Sequence, residues 1–354
     1  MLKRILRSTI AYGLRNRRVR RVVEAELADH PVPVMAMDTT GQVFADRHGT
    51  KHPLDRGLRD RLKPGWRAML DPAGSTRLPS MEAQRDRARR AADTVREANQ
   101  VVASLTGKEL TGRLLEIGCY DGAVAYQLAR NAKVQVVASD LARYYVVQQT
   151  GQPGSGDLQT AHTTLSARRE RARVAAGIET GVVQFVEDDI TVSSLEPMSF
   201  DAIVSFEVLE HVASPGAALA AMARLLVPGG VAYHDYNPFF SNIGGHSLCT
   251  LDMPWGHARL ESTDFERYLA EIRPSEADQA LRFYQENLNR FSLADLRLAV
   301  SLAGLDLLAL LPWVDRALLQ DLTPQILSEA QRAYPAVTIE DLLATMVTVV
   351  VRKP

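Results

Sequence analysis

Leu114-Leu115-Glu116-Ile117-Gly118-Cys119-Tyr120-Asp121-Gly122 places the end of a buried strand, a tight turn and the approach to a helix side by side. Leu114, Leu115 and Ile117 are the apolar strand residues, and Glu116 sits one residue before the exit. Two glycines then bracket the turn, and Ala123-Val124-Ala125-Tyr126-Gln127-Leu128-Ala129 follows as a helix-forming run. Glycines permit positive φ and close approach, while a helix start offers unpaired N–H groups. A ligand can therefore touch bare backbone here. Dinucleotide-binding folds use a similar turn, so the strands that follow must decide the class.

Four further segments repeat the pattern. Val134-Gln135-Val136-Val137-Ala138-Ser139-Asp140 ends in an acid, about 20 residues past the turn, where nucleotide-binding folds hold ribose hydroxyls. Val182-Val183-Gln184-Phe185-Val186-Glu187 runs into Asp188-Asp189-Ile190, and Phe200-Asp201-Ala202-Ile203-Val204-Ser205-Phe206 runs into Glu207-Val208-Leu209-Glu210-His211-Val212. Val231-Ala232-Tyr233-His234 follows the turn Val227-Pro228-Gly229-Gly230, and Ala217 to Leu226 is helical. Alternating strands and helices predict a parallel sheet with its ligand site at the strands' carboxyl ends. All the polar punctuation falls at those ends.

Taken in order, Glu116 to Gly122, Asp140, Asp188-Asp189-Ile190, Glu207 to Val212 and Pro228-Gly229-Gly230 resemble the class I S-adenosylmethionine-dependent methyltransferases. The chain is most similar to the branch that includes the ubiquinone-biosynthesis O-methyltransferases, over about residues 105–235. The resemblance implies an α/β fold: a Rossmann-like doubly wound sheet of about seven strands, the last pair partly antiparallel. A helical N-terminal extension and cap insertions complete it. The first turn departs from the commoner Gly-x-Gly-x-Gly form, because Tyr120 stands at the middle glycine. A pyrophosphate needs closer backbone approach than that. S-adenosylmethionine has no phosphate.

Further roles follow from the resemblance. Glu116, Gly118, Cys119, Tyr120 and Gly122 would hold the methionine part of S-adenosylmethionine. Asp140 would take the ribose hydroxyls, with Leu141 against the adenine. Asp188 or Asp189 would accept from the adenine amino group, and Ile190 would pack on the ring. A one-residue shift reverses which of the two acids faces inward, so the choice stays open. Phe206 and Glu207 would line the path toward the sulfonium. The competing reading for each acid is a helix cap or a solvated carboxylate.

The chain has 354 residues, ample for one large domain plus an appendage. No run of 18 apolar residues occurs, so no membrane span is expected. Cys119 and Cys249, the two cysteines, make no disulfide framework, which suits a reducing cytoplasm. The net charge of -1 hides an asymmetry: residues 1–100 carry 21 Lys and Arg against 12 Asp and Glu, the remainder 20 against 30. Within the basic part, Leu2, Ile5, Leu6, Ile10, Leu14, Val19, Val22 and Val23 recur at near-helical spacing among arginines. Residues 1–27 read as a helical arm packed on its own domain or on a dimer partner; peripheral contact with an anionic membrane is the competing reading. A secretory signal does not fit, since arginines interrupt the apolar stretch. Nucleic acid is not an expected partner, because this part lacks an RNA-binding motif.

Residues 31–80, rich in Pro, Gly and Asp, read as an irregular lid or linker. A helix is predicted from Ser80 to Leu105 on the spacing of Ala88, Ala91, Ala92, Val95, Ala98, Val101 and Val102. In the resembled family such a helix often covers the cofactor cleft. The division expected is an N-terminal extension over 1–104 and a methyltransferase domain over 105–354.

Four of the eight histidines, His211, His234, His246 and His257, lie in or before a Gly- and aromatic-rich loop, about 234–262, placed where a methyl acceptor must sit. Packing explains such a loop poorly, and loops of this length are usually functional or disordered. One reading makes a histidine the general base on an acceptor hydroxyl, with His246 first, then His257, His211 and His234. A second, not favoured, lets His246, His257, Cys249 or Asp252 bind a divalent metal; the spacing matches no tight zinc motif. The third lets each histidine bond the loop to itself.

Asp264 to Ile272 and Ser292 to Ala303 are amphipathic, while Leu305 to Leu311 and Met346 to Val351 are strand-like. A helical insertion, about 314–334, separates those strands. The function expected is methyl transfer from S-adenosylmethionine to a hydroxyl of a small molecule, sugar or lipid-linked acceptor. Transfer to nitrogen or carbon, an RNA base as acceptor, and an inactive cofactor-binding subunit are the alternatives.

Overall fold

Parallel strands are covered on both faces, so they require near-continuous apolar runs, and this chain supplies them in sequence order. The computed structural model describes residues 39–70, 77–145 and 155–354. An antiparallel hairpin of β1 (Thr39–Ala45) and β2 (Lys51–Asp55) comes first. The sheet strands follow: β3 (Gly112–Ile117), β4 (Val134–Asp140), β5 (Val183–Glu187), β6 (Phe200–Phe206), β7 (Leu226–Tyr236), β8 (Asp306–Val314) and β9 (Ala344–Arg352). Their spatial order is β5-β4-β3-β6-β7-β9-β8, a mixed seven-stranded sheet with the last strands antiparallel. Winding runs outward from β3 to β5 and then restarts at β6 on β3's other side. That reversal opens a crevice at the carboxyl ends of β3 and β6.

Register brings the polar strand ends to one edge. Ile117 pairs with Ser139 and Ser205, Asp140 with Glu187, and Phe206 with Asp235. The helix Met81–Thr106 starts on Ser80, whose Oγ accepts the Ala83 N–H, and stops at Gly107 in the left-handed conformation. Its buried stripe of Ala88, Ala91, Val95, Ala98, Val101 and Val102 carries small residues, and four of these join the core of Leu114, Val136, Ala138, Val204 and Tyr233. Each buried valine contributes about 1.5–3 kcal/mol.

The chain divides into two compact bodies. One holds residues 77–145, 155–236, 294–310 and 348–354; the other holds 39–70, 237–293 and 311–347. The boundary expected at residue 104 lies within the first of these bodies. It falls inside the Met81–Thr106 helix, which shares its core with the sheet and sends Asn99 to bond the Leu110 N–H at 2.9 Å. Within the stretch expected as an irregular lid, residues 39–55 form the hairpin, whose Phe44 and Leu54 are buried and whose Asp46 bonds the His48 and Thr50 N–H groups to close the turn.

The loop expected over 234–262 is densely packed. Phe239, Phe240, Leu248, Cys249, Leu251, Met253 and Trp255 are all buried and form much of the second body's core with Phe265, Tyr268 and Tyr284. Packing thus explains most of its aromatics. Buried ion pairs fix its backbone: Arg59 bonds the Ser247 carbonyl at 2.8 Å and grips Glu276 with two bonds of 2.7 and 2.8 Å. Between β8 and β9 lie the helices Arg316–Asp321 and Pro324–Ala333. The basic stretch 1–27 lies outside the described residues. Among those described, no helix is long and apolar enough to cross a membrane.

Candidate cofactor site at the strand tips

The turn after β3 is tight because its neighbours leave room for nothing larger. Gly118 has φ 71°, and a Cβ there would lie 2.4 Å from Val208, just past the β6 tip. The Gly118 and Cys119 N–H groups both donate to the Ser139 carbonyl, at 2.9 and 3.0 Å. Gly122, at φ 74°, caps the helix Ala123–Leu128, and a Cβ there would meet the Phe185 ring at 2.7 Å. Between them Tyr120 adopts φ 46° without being glycine. Such a conformation costs about 1–3 kcal/mol and persists only when its surroundings over-determine it. Here the Tyr120 N–H donates to Asp140, Arg169 Nε donates to the Tyr120 carbonyl at 3.1 Å, and the ring lies near the Arg87 and Arg168 guanidiniums. Asp121 is buried and pairs with Arg87 Nε at 2.9 Å.

Two carboxyls meet at this tip. Burial, and then the charges of Asp140 and Asp121, push the Glu116 carboxyl well above the usual carboxylate range. Its Oε2 is buried with no hydrogen-bond partner. A buried polar atom without a partner costs free energy, and a cationic ligand group would remove that cost. S-adenosylmethionine carries such groups, so the residues present fit it. Asp140 is also raised, by burial, against the opposing bonds from the Leu141 N–H, the Tyr145 hydroxyl and the Tyr120 N–H. Cys119 is buried, and burial pushes its thiol up. Leu141 is half-buried beside Asp140.

At the β5 tip, Asp189 caps the helical turn Ile190–Val192 and bonds the Thr191 N–H and hydroxyl at 2.9 and 2.7 Å. Asp188 bonds the Ser194 N–H at 3.0 Å through Oδ1, and its Oδ2 is buried without a partner. Ile190 is buried. Phe206 is half-buried against Tyr233, ring centres 5.7 Å apart, and Glu207 is exposed at φ 57° with its N–H on the Asp235 carbonyl at 2.7 Å.

The four histidines divide into two kinds. His211 is half-buried in the body that holds the strand tips, its ring 5.5 Å from Tyr144. His246 is half-buried in the other body, at φ 52° and with its ring 6.0 Å from Phe283. His234 and His257 are fully enclosed. His234 Nδ1 lies 2.7 Å from the Ser205 hydroxyl, on the neighbouring strand. His257 Nε2 holds the Phe239 and Ser241 carbonyls at 2.8 and 3.0 Å, so it bonds the loop to itself. Two of the metal ligands suggested with it are engaged elsewhere. Cys249 Sγ donates to the Ala280 carbonyl at 3.3 Å, and Asp252 is taken by Tyr268 and Arg273 at 2.7 and 3.0 Å.

Enclosure makes the two buried histidines acid-labile. Burial pushes His234 down to about 3 and His257 down to about 4, the latter against its two carbonyl bonds. An unfolded histidine ionises near ~6.5. Their contribution to stability is therefore complete above about pH 6.5 and is lost as pH falls toward ~4, at about 1.4 kcal/mol per pH unit for each. Urea unfolding between pH 7 and 5 should show His257→Asn reducing the slope by about one proton. An unaltered slope would contradict the assignment.

Sequence reasoning missed Arg169, Arg87 and Tyr145, all of which touch the turn or Asp140. Arg169 lies in Ser155–Ala176, a helix too polar throughout to single out one arginine. Tyr145 carried no signal beyond lying five residues past Asp140.

Residues 83–310 match the family model described as a methyltransferase domain. A ubiquinone biosynthesis O-methyltransferase of Burkholderia orbicola (strain MC0-3) is 30% identical over 186 residues, 51% of this chain and 65% of that protein. One of Xanthomonas euvesicatoria pv. vesicatoria (strain 85-10) is 35% identical over 126 residues, 35% of this chain and 43% of that one. The alignments thus span less than two thirds of these relatives' lengths. A phosphoethanolamine N-methyltransferase 2 of Haemonchus contortus, solved with S-adenosyl-L-methionine, has a TM-score of 0.43 at 17% identity, covering 86% of this chain and 62% of that one.

Proposed function

The chain belongs to the class I S-adenosylmethionine-dependent methyltransferase family, and from that premise we propose that it transfers a methyl group to a hydroxyl of a small-molecule, sugar or lipid-linked acceptor. The observation that carries the cofactor half is the buried Glu116 carboxyl beside Asp140 at the sheet's switch point, whose Oε2 has no hydrogen-bond partner. S-adenosylmethionine supplies an activated methyl carbon on a sulfonium, open to in-line displacement. Glu116 and the Gly118–Gly122 turn hold its methionine part. Asp140 accepts from the ribose hydroxyls, the Asp188–Asp189 pair accepts from the adenine amino group, and Leu141 and Ile190 pack on the ring. Phe206 and Glu207 line the approach to the methyl group.

Acceptor activation falls to His246 in this reading, with His211 as the second candidate. These two are the half-buried members of the four. Among the described residues, His246 is also one of five non-glycine residues at positive φ, and Tyr120 and Glu207 are two of the others. Backbone strain of that kind clusters at functional sites. The curated relatives' names favour oxygen as the acceptor atom over nitrogen or carbon.

Glu116 gives a direct test. Burial pushes its carboxyl well above the usual carboxylate range, so an ammonium arriving beside it should drive bound proton off. Calorimetry of S-adenosylhomocysteine in buffers of different ionisation enthalpy should show proton release for the wild type and none for Glu116→Gln. Affinity should also rise with pH as Glu116 ionises. Binding without proton release would remove Glu116 from the methionine subsite.

A further inference from the structure

Asp140 accepts three donors already. Its Oδ1 takes the Leu141 N–H at 2.7 Å, and its Oδ2 takes the Tyr120 N–H and the Tyr145 hydroxyl, the latter at 2.8 Å. A carboxylate offers about four lone-pair positions. A vicinal diol needs two of them, and about one is left. The two backbone donors are built into the turn, since the Tyr120 N–H belongs to the strained residue itself and the Leu141 N–H to the next residue along. The Tyr145 donor alone sits on a side chain that can rotate away.

We propose that the Tyr145 hydroxyl is an internal stand-in for a ribose hydroxyl, occupying Asp140 in the ligand-free chain and leaving when a nucleoside diol arrives. This rests on the cofactor reading above. The ring is held by aromatic neighbours rather than locked by further bonds: its centre lies 5.2 Å from Tyr120 and 5.4 Å from Tyr144, which in turn lies 5.5 Å from His211. Burial and the Asp140 charge keep the hydroxyl protonated well beyond its ordinary range, so it remains a donor at any physiological pH. The contact adds a third donor to Asp140, a buried carboxylate, and by the same bond it competes with the ligand. Affinity is thereby set partly by a residue the bound state does not use.

The opposite reading makes Tyr145 a support that orients Asp140 for the ribose. The sign of one substitution separates them. Tyr145→Phe removes the competing bond and keeps the ring, so S-adenosylhomocysteine should bind about tenfold tighter, the worth of one hydrogen bond to a charged group. Unchanged or weaker binding would overturn the proposal. A crystal structure with S-adenosylhomocysteine supplies a second readout: the Tyr145 hydroxyl should have left Asp140. A bound complex in which it still donates to Asp140 would also overturn the proposal. A wild type that binds no S-adenosylhomocysteine would overturn the cofactor reading together with this inference, whereas the other adverse outcomes strike this inference alone.

Discussion

Asp140→Ala is expected to weaken S-adenosylhomocysteine binding by about 10²–10⁴-fold, which calorimetry would read as loss of measurable heat. Two bonds from a ribose diol to a carboxylate contribute about 1.5–3 kcal/mol each, and each ~1.4 kcal/mol is a tenfold change in affinity. The effect has a second source in this chain. Asp140 also accepts the Tyr120 N–H and so helps hold the turn at φ 46°. Asp140→Asn separates the two contributions, since an amide oxygen still accepts the turn's N–H but offers the diol one acceptor oxygen without charge. It should fall between wild type and alanine. Wild-type affinity in the alanine variant, with circular dichroism showing it folded, would place the ribose elsewhere.

His246→Ala should leave that affinity unchanged and lower kcat by about 10²–10⁴-fold, the usual worth of a positioned general base. Alanine keeps the strained backbone position, so the change removes an imidazole and little else. Much of the acceleration in methyl transfer comes from aligning donor and acceptor, and residual activity above background is expected for that reason. Added imidazole should restore part of the rate. Unchanged turnover in His246→Ala, with a collapse in His211→Ala, would transfer the role to His211.

How far the sequence revealed the fold depended on the kind of signal. Strand tips were legible because three physical demands coincide there: apolar runs for a buried sheet, glycine where Val208 and Phe185 leave no room for a Cβ, and acids at the exits. Glu116, Asp140, Gly118 and Gly122 could be picked out on those grounds. Hairpin residues 39–55 escaped because Asp46, Gly49 and Asp55 imitate loop composition, while the strands bury only alternate side chains such as Phe44 and Leu54. The stretch 237–262 misled in the opposite direction. Its glycines and histidines suggest a working surface, yet a Cβ added at Gly244 or Gly245 would lie 2.2 or 2.6 Å from backbone atoms, and His257 bonds two carbonyls of its own loop. Spacing alone does not distinguish a histidine that reaches substrate from one that ties a chain to itself. Tyr145 was invisible for a related reason, because its importance lies in a lone pair it occupies on another residue.

The central claim is that carboxyls at successive strand tips gather around one adenosyl ligand, and titration of the wild-type chain with S-adenosylhomocysteine tests it most directly. One saturable site per chain, competed by S-adenosylmethionine and accompanied by proton release, is the result expected. A folded chain that takes up neither compound would contradict it.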